Sequence, residues 1–376
     1  MRPIDVAVDA TPLIGAGTGV ATFTRGALQA LATRSDVRVT GYAMSVRGRG
    51  QLAAVVPSGV TTRSRSMPAG LLTKLWSSSD QPPGEWWTGR VDVVHGTNFV
   101  VPPMRHAAEV VTVYDLTSVR FPELCAPASL RYPELIRRAV RRGAWVHTLA
   151  AAIAEEVIDL LDVPPERVRV VPSGLDPVAD DERGDPTTGR AIAGADLYVL
   201  ALGTIEPRKG LPSLVRAFDR LAGTRPNLHL VVVGPDGWGT RAFGAAVGMS
   251  RHPQRIRRLG WVDAAARRDL VVGARLLAVP SIYEGFGYPA LEAMAAATPV
   301  VATAVGSLPE VLGDAARLVP GGDIDAFTEA LAEVVDDDAV AADLGGRGPA
   351  RAATFRWDAC AEGLVELYRA ARGAQG

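Results

Sequence analysis

Ser281-Ile-Tyr-Glu-Gly-Phe-Gly-Tyr-Pro-Ala-Leu-Glu292 joins the apolar run 276–279 to a stretch with helical spacing. The order is strand, glycine-containing loop, helix. Pro289 suits the first turn of that helix, because its missing N–H has no partner there anyway. The loop 284–288 therefore runs into a helix N-terminus, where unpaired N–H groups and the helix dipole favour an anion such as a diphosphate. Gly285 and Gly287 let the backbone approach a ligand closely. Glu284 on the loop and Glu292 in the first turns of the helix can accept hydrogen bonds from sugar hydroxyls. The plainer reading is a solvated turn whose acid stabilises a helix start.

The same rhythm extends in both directions. Short β-branched runs at 4–8, 37–42, 91–95, 110–114, 146–149 and 168–171 read as strands, with helical stretches at 22–32, 129–142 and 152–161. The second half repeats it, with strands at 198–202, 229–233, 256–259, 276–279 and 300–302 and helices at 211–222, 264–272, 289–296 and 326–335. Strands alternating with helices imply an α/β class with parallel sheets covered on both faces. Residues 177–194, rich in Asp, Gly, Pro and Thr, carry the signature of a linker. The expected organisation is an N-terminal Rossmann-like domain over 1–176, the linker 177–194, a C-terminal Rossmann-like domain over 195–356, and a closing helix over 357–376. Periodicity does not say which half that helix packs on.

The 376 residues allow two or three domains. Hydrophobic residues make up 48% and charged residues 22%, ordinary globular usage that argues against extensive disorder. A formal net charge of −1 gives no global attraction to nucleic acid. Cys125 and Cys360 suggest neither a disulfide framework nor a zinc site, which fits a reducing cytoplasm. Asp5 and Asp9 interrupt the first apolar run, so it reads as a strand and not as a signal peptide. The longest apolar stretch, 293–306, falls short of the ~20 residues a spanning helix needs, so any membrane contact is expected to be peripheral.

A second element supports a phosphate site. Gly203-Thr-Ile-Glu-Pro-Arg-Lys-Gly210 lies between the strand 198–202 and the helix from Leu211. Arg208 and Lys209 thus sit at the carboxyl end of a parallel strand, where open α/β sheets bind ligands. Adjacent cations suit two phosphates, Arg as a bidentate fork and Lys as a point charge. Both loops follow strands of one sheet and share its edge. Taken singly, the basic turn also reads as an ordinary exposed loop.

GTIEPRKG followed by EGFGYPALEAM, with seven residues between the two glutamates, resembles the retaining glycosyltransferases of family 4, in particular their bacterial mannosyltransferase-like members. The likeness extends to 168–176 (VRVVPSGLD), 259–263 (LGWVD), 300–310 (VVATAVGSLPE) and the Trp357-Asp358 pair. It implies the GT-B architecture, two facing Rossmann-like domains with a cleft between them, and the closing helix packed back on the N-terminal domain. It also implies that Arg208 and Lys209 hold the donor diphosphate, Glu284 the donor sugar and Glu292 the ribose. Gly203 and Thr204 belong to the same donor loop. The amides of Phe286, Gly287, Tyr288 and Leu291 would face sugar and phosphates, and Trp261 and Val262 would border the base. Leaving-group charge would be neutralised by the two cations with no metal and no cofactor, the nucleotide-sugar being a substrate, GDP-mannose by resemblance.

The N-terminal half matches less closely. Gly15-Ala-Gly-Thr-Gly-Val-Ala-Thr-Phe-Thr-Arg25 fails as a dinucleotide fingerprint, since Val20 occupies the third glycine position. It resembles the family's N-terminal glycine loop, which places Gly17 and Gly19 near donor phosphate or acceptor. Tyr114-Asp115 stands where the family has His-Asp, a pair whose histidine contacts the transferred sugar, so the resemblance makes Tyr114 and Asp115 candidate catalytic residues; Ala150-Ala151 stands where it has Ser-Glu. His95 ends a strand and reads as structural or as a cleft residue. Arg137, Arg138, Arg141 and Arg142 form either a solvated face or a dock for an anionic or lipid-linked acceptor. Trp76, Trp86 and Trp87 either cover the sheet or stack on a sugar.

The expected function is therefore metal-independent, retaining transfer of a hexose, mannose by resemblance, from a nucleotide-sugar to a sugar, lipid-linked or small-molecule acceptor. A non-catalytic nucleotide-sugar-binding protein is the alternative that Tyr114, Ala150 and Ala151 support. An epimerase of the same architecture would need a different acid/base set. A dehydrogenase is disfavoured by the broken glycine pattern.

Overall fold

The computed structural model describes residues 2–15, 17–46, 48–63, 65–177 and 184–374. They fall into two compact units, Met1–Asp176 with Phe355–Gly376, and Pro177–Thr354.

The first unit is built on a seven-stranded parallel sheet in the order β3-β2-β1-β4-β5-β6-β7. Its strands are β1 (Ile4–Asp9), β2 (Val37–Tyr42), β3 (Thr61–Arg63), β4 (Val93–Gly96), β5 (Ala108–Thr112), β6 (Trp145–Thr148) and β7 (Val168–Val170). β5 ends two residues before Tyr114, so that residue lies beyond the strand rather than at its end. The helix expected over 129–142 is divided. A 3-10 turn covers Pro127–Arg131 and the α-helix proper is Tyr132–Arg141, with Pro133 in its first turn. The Trp357–Gly373 helix belongs to this unit and packs on the Gly19–Ala32 helix and on β4 and β5. Its first residue explains the fit. The Trp357 ring fills space beside Gly26 and Gly174 that a Cβ at either position would invade, at 2.0 and 2.4 Å. Its indole N–H donates to Asp176 Oδ1 at 2.7 Å.

The second unit carries a six-stranded parallel sheet, β10-β9-β8-β11-β12-β13. The strands are β8 (Leu197–Leu202), β9 (Leu228–Val233), β10 (Ile256–Gly260), β11 (Leu276–Val279), β12 (Val300–Thr303) and β13 (Arg317–Val319). The chain runs outward from β8 to β10, then returns to place β11 against β8. Strand order reverses there, and such a reversal opens a crevice at the carboxyl ends of the two strands. Helix Leu211–Ala222 covers one face with Leu211, Leu214, Val215, Phe218 and Leu221, apolar at helical spacing and all buried.

Part of the stretch read as linker is helical. Pro186–Ala193 forms two turns, with Asp185 as the N-cap accepting from the Thr187 and Thr188 amides. It packs against the Ala264–Gly273 helix. Its contact residues are Gly189 and Ala193, small enough for close backbone approach and too small to register as apolar periodicity. Residues 178–183 of the same stretch lie outside the described residues.

Candidate functional site

The loops after β8 and β11 meet at the strand-order reversal. Residues 203–210 leave β8, form a short 3-10 turn at Pro207–Lys209 and enter the Leu211–Ala222 helix. Gly210 makes the junction possible. Its φ is +65°, and a Cβ there would lie 2.0 Å from the Pro280 carbonyl oxygen. The Ile282 amide donates to the Arg208 carbonyl at 2.7 Å, tying the loops backbone to backbone. From the other side Gly306, at φ +53°, passes under Glu284 where a Cβ would meet the Glu284 carbonyl at 2.2 Å. The Ser307 amide and hydroxyl both donate to that carbonyl, at 3.0 and 3.2 Å.

These constraints bring together three expected side chains. Arg208 Nη1 donates to Glu284 Oε1 at 3.1 Å and Lys209 Nζ to Oε2 at 2.6 Å. Glu284 is 6% exposed. Burial by itself would raise its carboxyl, but the charges of Lys209 and Arg208 outweigh it and hold the group down to about 2. The carboxylate is therefore ionised at any working pH. Two further groups complete the cluster. Ser281 Oγ donates to Glu284 Oε2 at 3.1 Å, and Arg208 Nε donates to Glu206 Oε2 at 3.1 Å. Glu206 lies in the 203–210 motif and Ser281 opens the second one, but neither residue type announces its partner, two positions away for Glu206 and three for Ser281.

The rest of the expected donor set is distributed around this cluster. Gly203, at φ +131°, and Thr204 lead from β8 toward it. Gly287 is the N-cap of the Tyr288–Ala295 helix. Phe286 and Tyr288 are buried, their rings edge to face at 5.1 Å. The Leu291 amide departs from expectation. It donates to the Gly287 carbonyl at 3.2 Å, because the helix already starts at Tyr288 and its fourth N–H lies inside the ladder. Glu292 is the next residue, and its Oε2 takes Nε of Arg267 at 2.9 Å and also Nη2. Trp261 follows β10 and is 67% exposed, with Val262 half-buried beside it. Among the described residues no group of three or more His, Cys, Asp and Glu side chains is arranged to hold a metal ion.

The first unit holds the remaining expected residues. Gly17 and Gly19 are exposed, and Gly19 begins the Gly19–Ala32 helix behind the Thr18 N-cap. Tyr114 is buried. Its hydroxyl donates to the Thr97 carbonyl at 2.7 Å and its ring meets Phe23 and Phe99 edge to face, which gives the side chain a packing role. Asp115 Oδ1 accepts from the Thr117 amide at 2.9 Å and hydroxyl at 2.7 Å.

His95 is fully buried in a hydrogen-bonded chain. Tyr368 hydroxyl, His95 Nδ1, His95 Nε2, Thr112 hydroxyl, His147 Nδ1, His147 Nε2 and the Val171 carbonyl follow one another at 2.8, 2.7, 2.9 and 2.9 Å between successive groups. A carbonyl can only accept, so His147 donates from Nε2 and accepts at Nδ1. Thr112 then donates to His147 and accepts from His95 Nε2, and Tyr368 donates to His95 Nδ1. With both imidazoles neutral, one proton arrangement satisfies every group. This makes His95 structural, a clamp between the closing helix and three strands.

The four arginines are likewise engaged. Arg137 donates to the Leu160 carbonyl, Arg138 pairs with Asp80, Arg141 with Glu134, and Arg142 with Asp80 and the buried Glu109. Trp76 and Trp87 donate to the Pro82 and Ser66 carbonyls, while Trp86 is 60% exposed. No helix among the described residues is long and apolar enough to cross a membrane.

Both halves match known protein families. Residues 18–174 match the Glycosyl transferase 4-like domain and residues 196–337 match Glycosyl transferases group 1. The O-antigen chain mannosyltransferase B of Escherichia coli is 31% identical over 284 residues, covering 74% of each chain. Among solved structures, the sucrose-phosphate synthase of Thermosynechococcus elongatus superposes with a TM-score of 0.75 at 20% identity, covering 97% of this chain and 98% of that one. Anabaena HepE in complex with UDP and glucose superposes at 0.72 and 17% identity, covering 96% and 98%. At these identities the structural likenesses show the fold, which is GT-B. The family matches span most of the sequence and include every residue of the Arg208–Lys209–Glu284 cluster, and on that ground the chain belongs to the group 1 glycosyltransferases of family 4 and is a glycosyltransferase.

Proposed function

We propose that this glycosyltransferase moves a hexose from a nucleoside-diphosphate sugar to a hydroxyl acceptor, with retention and without a metal. The observation that carries the reading is the Arg208–Lys209–Glu284 cluster, a buried carboxylate held by two part-buried cations, at the strand-order reversal. Two adjacent cations in a largely desolvated loop neutralise negative charge as it develops on a departing diphosphate. In the reaction the bond from the anomeric carbon to the diphosphate oxygen breaks, its electron pair leaving on the diphosphate. The acceptor oxygen bonds to the same face of that carbon, and its proton passes to the departing phosphate oxygen. Arg208 and Lys209 stabilise the leaving group, Glu284 accepts hydrogen bonds from the sugar hydroxyls, and Glu292 from the ribose.

Mannose is the first donor sugar to test, supported by the mannosyltransferase named among the relatives. A glucosyl donor comes second, since HepE was solved with UDP and glucose. The acceptor is a sugar, a lipid-linked saccharide or a small polyol. The test is turnover of GDP-mannose, UDP-glucose and UDP-GlcNAc in EDTA, with the product anomer read by NMR. An inverted product, or activity abolished by EDTA and restored by a divalent ion, would refute the mechanism.

A further inference from the structure

The contact between Arg267 and Glu292 joins two elements that the transfer chemistry does not itself require to touch. Arg267 lies in the first turns of the Ala264–Gly273 helix, just after Trp261 and Val262. Glu292 lies on the Tyr288–Ala295 helix. The guanidinium places both Nε and Nη2 on a single carboxylate oxygen, Oε2. The other oxygen, Oε1, has no hydrogen-bond partner among the described residues. Both side chains are about one-third exposed, 34% for Arg267 and 31% for Glu292, so the pair sits at a surface that a ligand can reach.

A glutamate on an exposed helix face is free to sample several rotamers, and ordering it on ligand binding costs entropy. An arginine loses less on pairing, because its planar fork is preorganised. By taking Oε2, Arg267 restricts the carboxylate and leaves Oε1 as the acceptor still open to a ligand. The neighbouring helix that supplies the arginine begins at the loop carrying Trp261, so the same element that borders this end of the site also sets the carboxylate.

We infer that Arg267 is a positioning residue for the donor nucleotide: it holds Glu292 with Oε1 turned toward the ribose hydroxyls, so that the site selects ribonucleotide over deoxyribonucleotide donors. The inference rests on the donor reading above. Arg267 touches the carboxylate and not the reacting atoms, so its effect belongs in donor binding and not in the chemical step.

The experiment uses the full chain as wild type, Arg267→Met, Arg267→Lys, Glu292→Gln and the Arg267→Met/Glu292→Gln double variant. Calorimetry gives Kd for GDP, UDP and their 2′-deoxy forms, steady-state assays give KM and kcat for the sugar donor, and thermal melts check folding. A hydrogen bond to a charged group sets the expected scale: Arg267→Met weakens binding of the preferred ribonucleotide about tenfold. KM for the donor rises by the same factor while kcat stays within about twofold. The ribo-over-deoxy preference shrinks, Arg267→Lys restores part of it, and adding Arg267→Met to Glu292→Gln changes little further, as expected for two residues acting through one contact. If wild type binds a nucleotide and Arg267→Met binds it equally well, with the same ribo-over-deoxy ratio, the inference is overturned and the donor site stands. If the two substitutions are fully additive, Arg267 acts elsewhere and the inference is overturned as well. If wild type binds no nucleoside diphosphate, the donor reading and the inference fall together.

Discussion

Replacing Glu284 by Gln separates the two roles the cluster assigns to that carboxylate, because the expected effects have opposite signs. Glu284 is the internal counterion of Arg208 and Lys209, at 3.1 and 2.6 Å, and is held ionised by a carboxyl value of about 2. Glutamine keeps the shape and removes the charge. In the protein alone this leaves two mostly buried cations without their shared partner, and breaking a buried ion pair costs about 3 kcal/mol. A diphosphate oxygen gripped by the same cations comes within about 6 Å of the carboxylate, where two like charges repel by roughly 3 kcal/mol at an effective dielectric near 20. Solvent at the rim of the loop reduces that figure, and about 1.4 kcal/mol, a tenfold gain in affinity, is the expected remainder. Glu284→Gln should therefore melt at a lower temperature, bind the free nucleoside diphosphate about tenfold more tightly, and recover more stability on adding it than wild type does. Turnover of the sugar donor should fall by about 10²-fold, since the hydrogen bonds to the sugar lose their charge assistance in the transition state. Calorimetry on GDP and UDP, with thermal melts and initial rates on the same preparations, reads all three. Affinity for both diphosphates no greater than in wild type would refute the counterion argument.

Arg208→Ala and Lys209→Ala should each lower kcat/KM by about 10²–10³-fold, the scale of one lost transition-state donor, with the far-ultraviolet CD spectrum unchanged; a near-wild-type rate in either removes the phosphate-clamp assignment. Tyr114→Phe takes the donor from the Thr97 carbonyl and should cost about 1 kcal/mol in a denaturant melt while turnover stays within about threefold. A large kcat loss without a stability loss would return the side chain to the chemistry. The first unit should also show two opposed acid responses. Burial pushes the His147 imidazole from 6.5 down to about 4, despite its hydrogen bond to Val171, so below pH 6.5 the unfolded chain takes protons first and about 3 kcal/mol is lost on the way to pH 4. Burial lifts the Asp9 carboxyl from 3.8 to about 6, despite its hydrogen bonds from Thr11, so between pH 6 and 3.8 the folded chain takes the proton first and acidification stabilises it. Asp9→Asn should therefore be more stable than wild type at pH 7 and lose more stability on going to pH 4, as read by urea denaturation; parallel pH profiles for the two proteins would contradict these directions.

The sheets were legible because parallel strands are buried on both faces and announce themselves as continuous β-branched runs, as at Leu228–Val233 and Val300–Thr303. The edge strands Thr61–Arg63 and Arg317–Val319 were not, since three residues, Thr-Thr-Arg and Arg-Leu-Val, are too short to carry such a run. The Pro186–Ala193 helix was hidden for a different reason: it packs through Gly189 and Ala193, which leave no hydrophobic stripe. In the site, Arg208, Lys209 and Glu284 could be picked out one motif at a time, and their meeting followed from both loops leaving adjacent strands. Their partners could not. Ser281 and Arg267 are ordinary residues until the fold brings an acceptor to them, Arg267 from a helix 25 positions away in sequence. Tyr114 shows the limit of motif matching. Its place beside Asp115 suggested chemistry, while the Thr97 carbonyl and the Phe23 and Phe99 rings give its side chain a place in the packing.

The most direct test of the central claim, that the Arg208–Lys209–Glu284 cluster is a working nucleotide-sugar site, is release of nucleotide from a panel of sugar donors by the purified full chain in EDTA, run beside Arg208→Ala. The expected result is slow hydrolysis of one donor by wild type, fastest for GDP-mannose, and loss of that release in the variant. Equal release by wild type and Arg208→Ala, or binding of no donor in the panel, would contradict it.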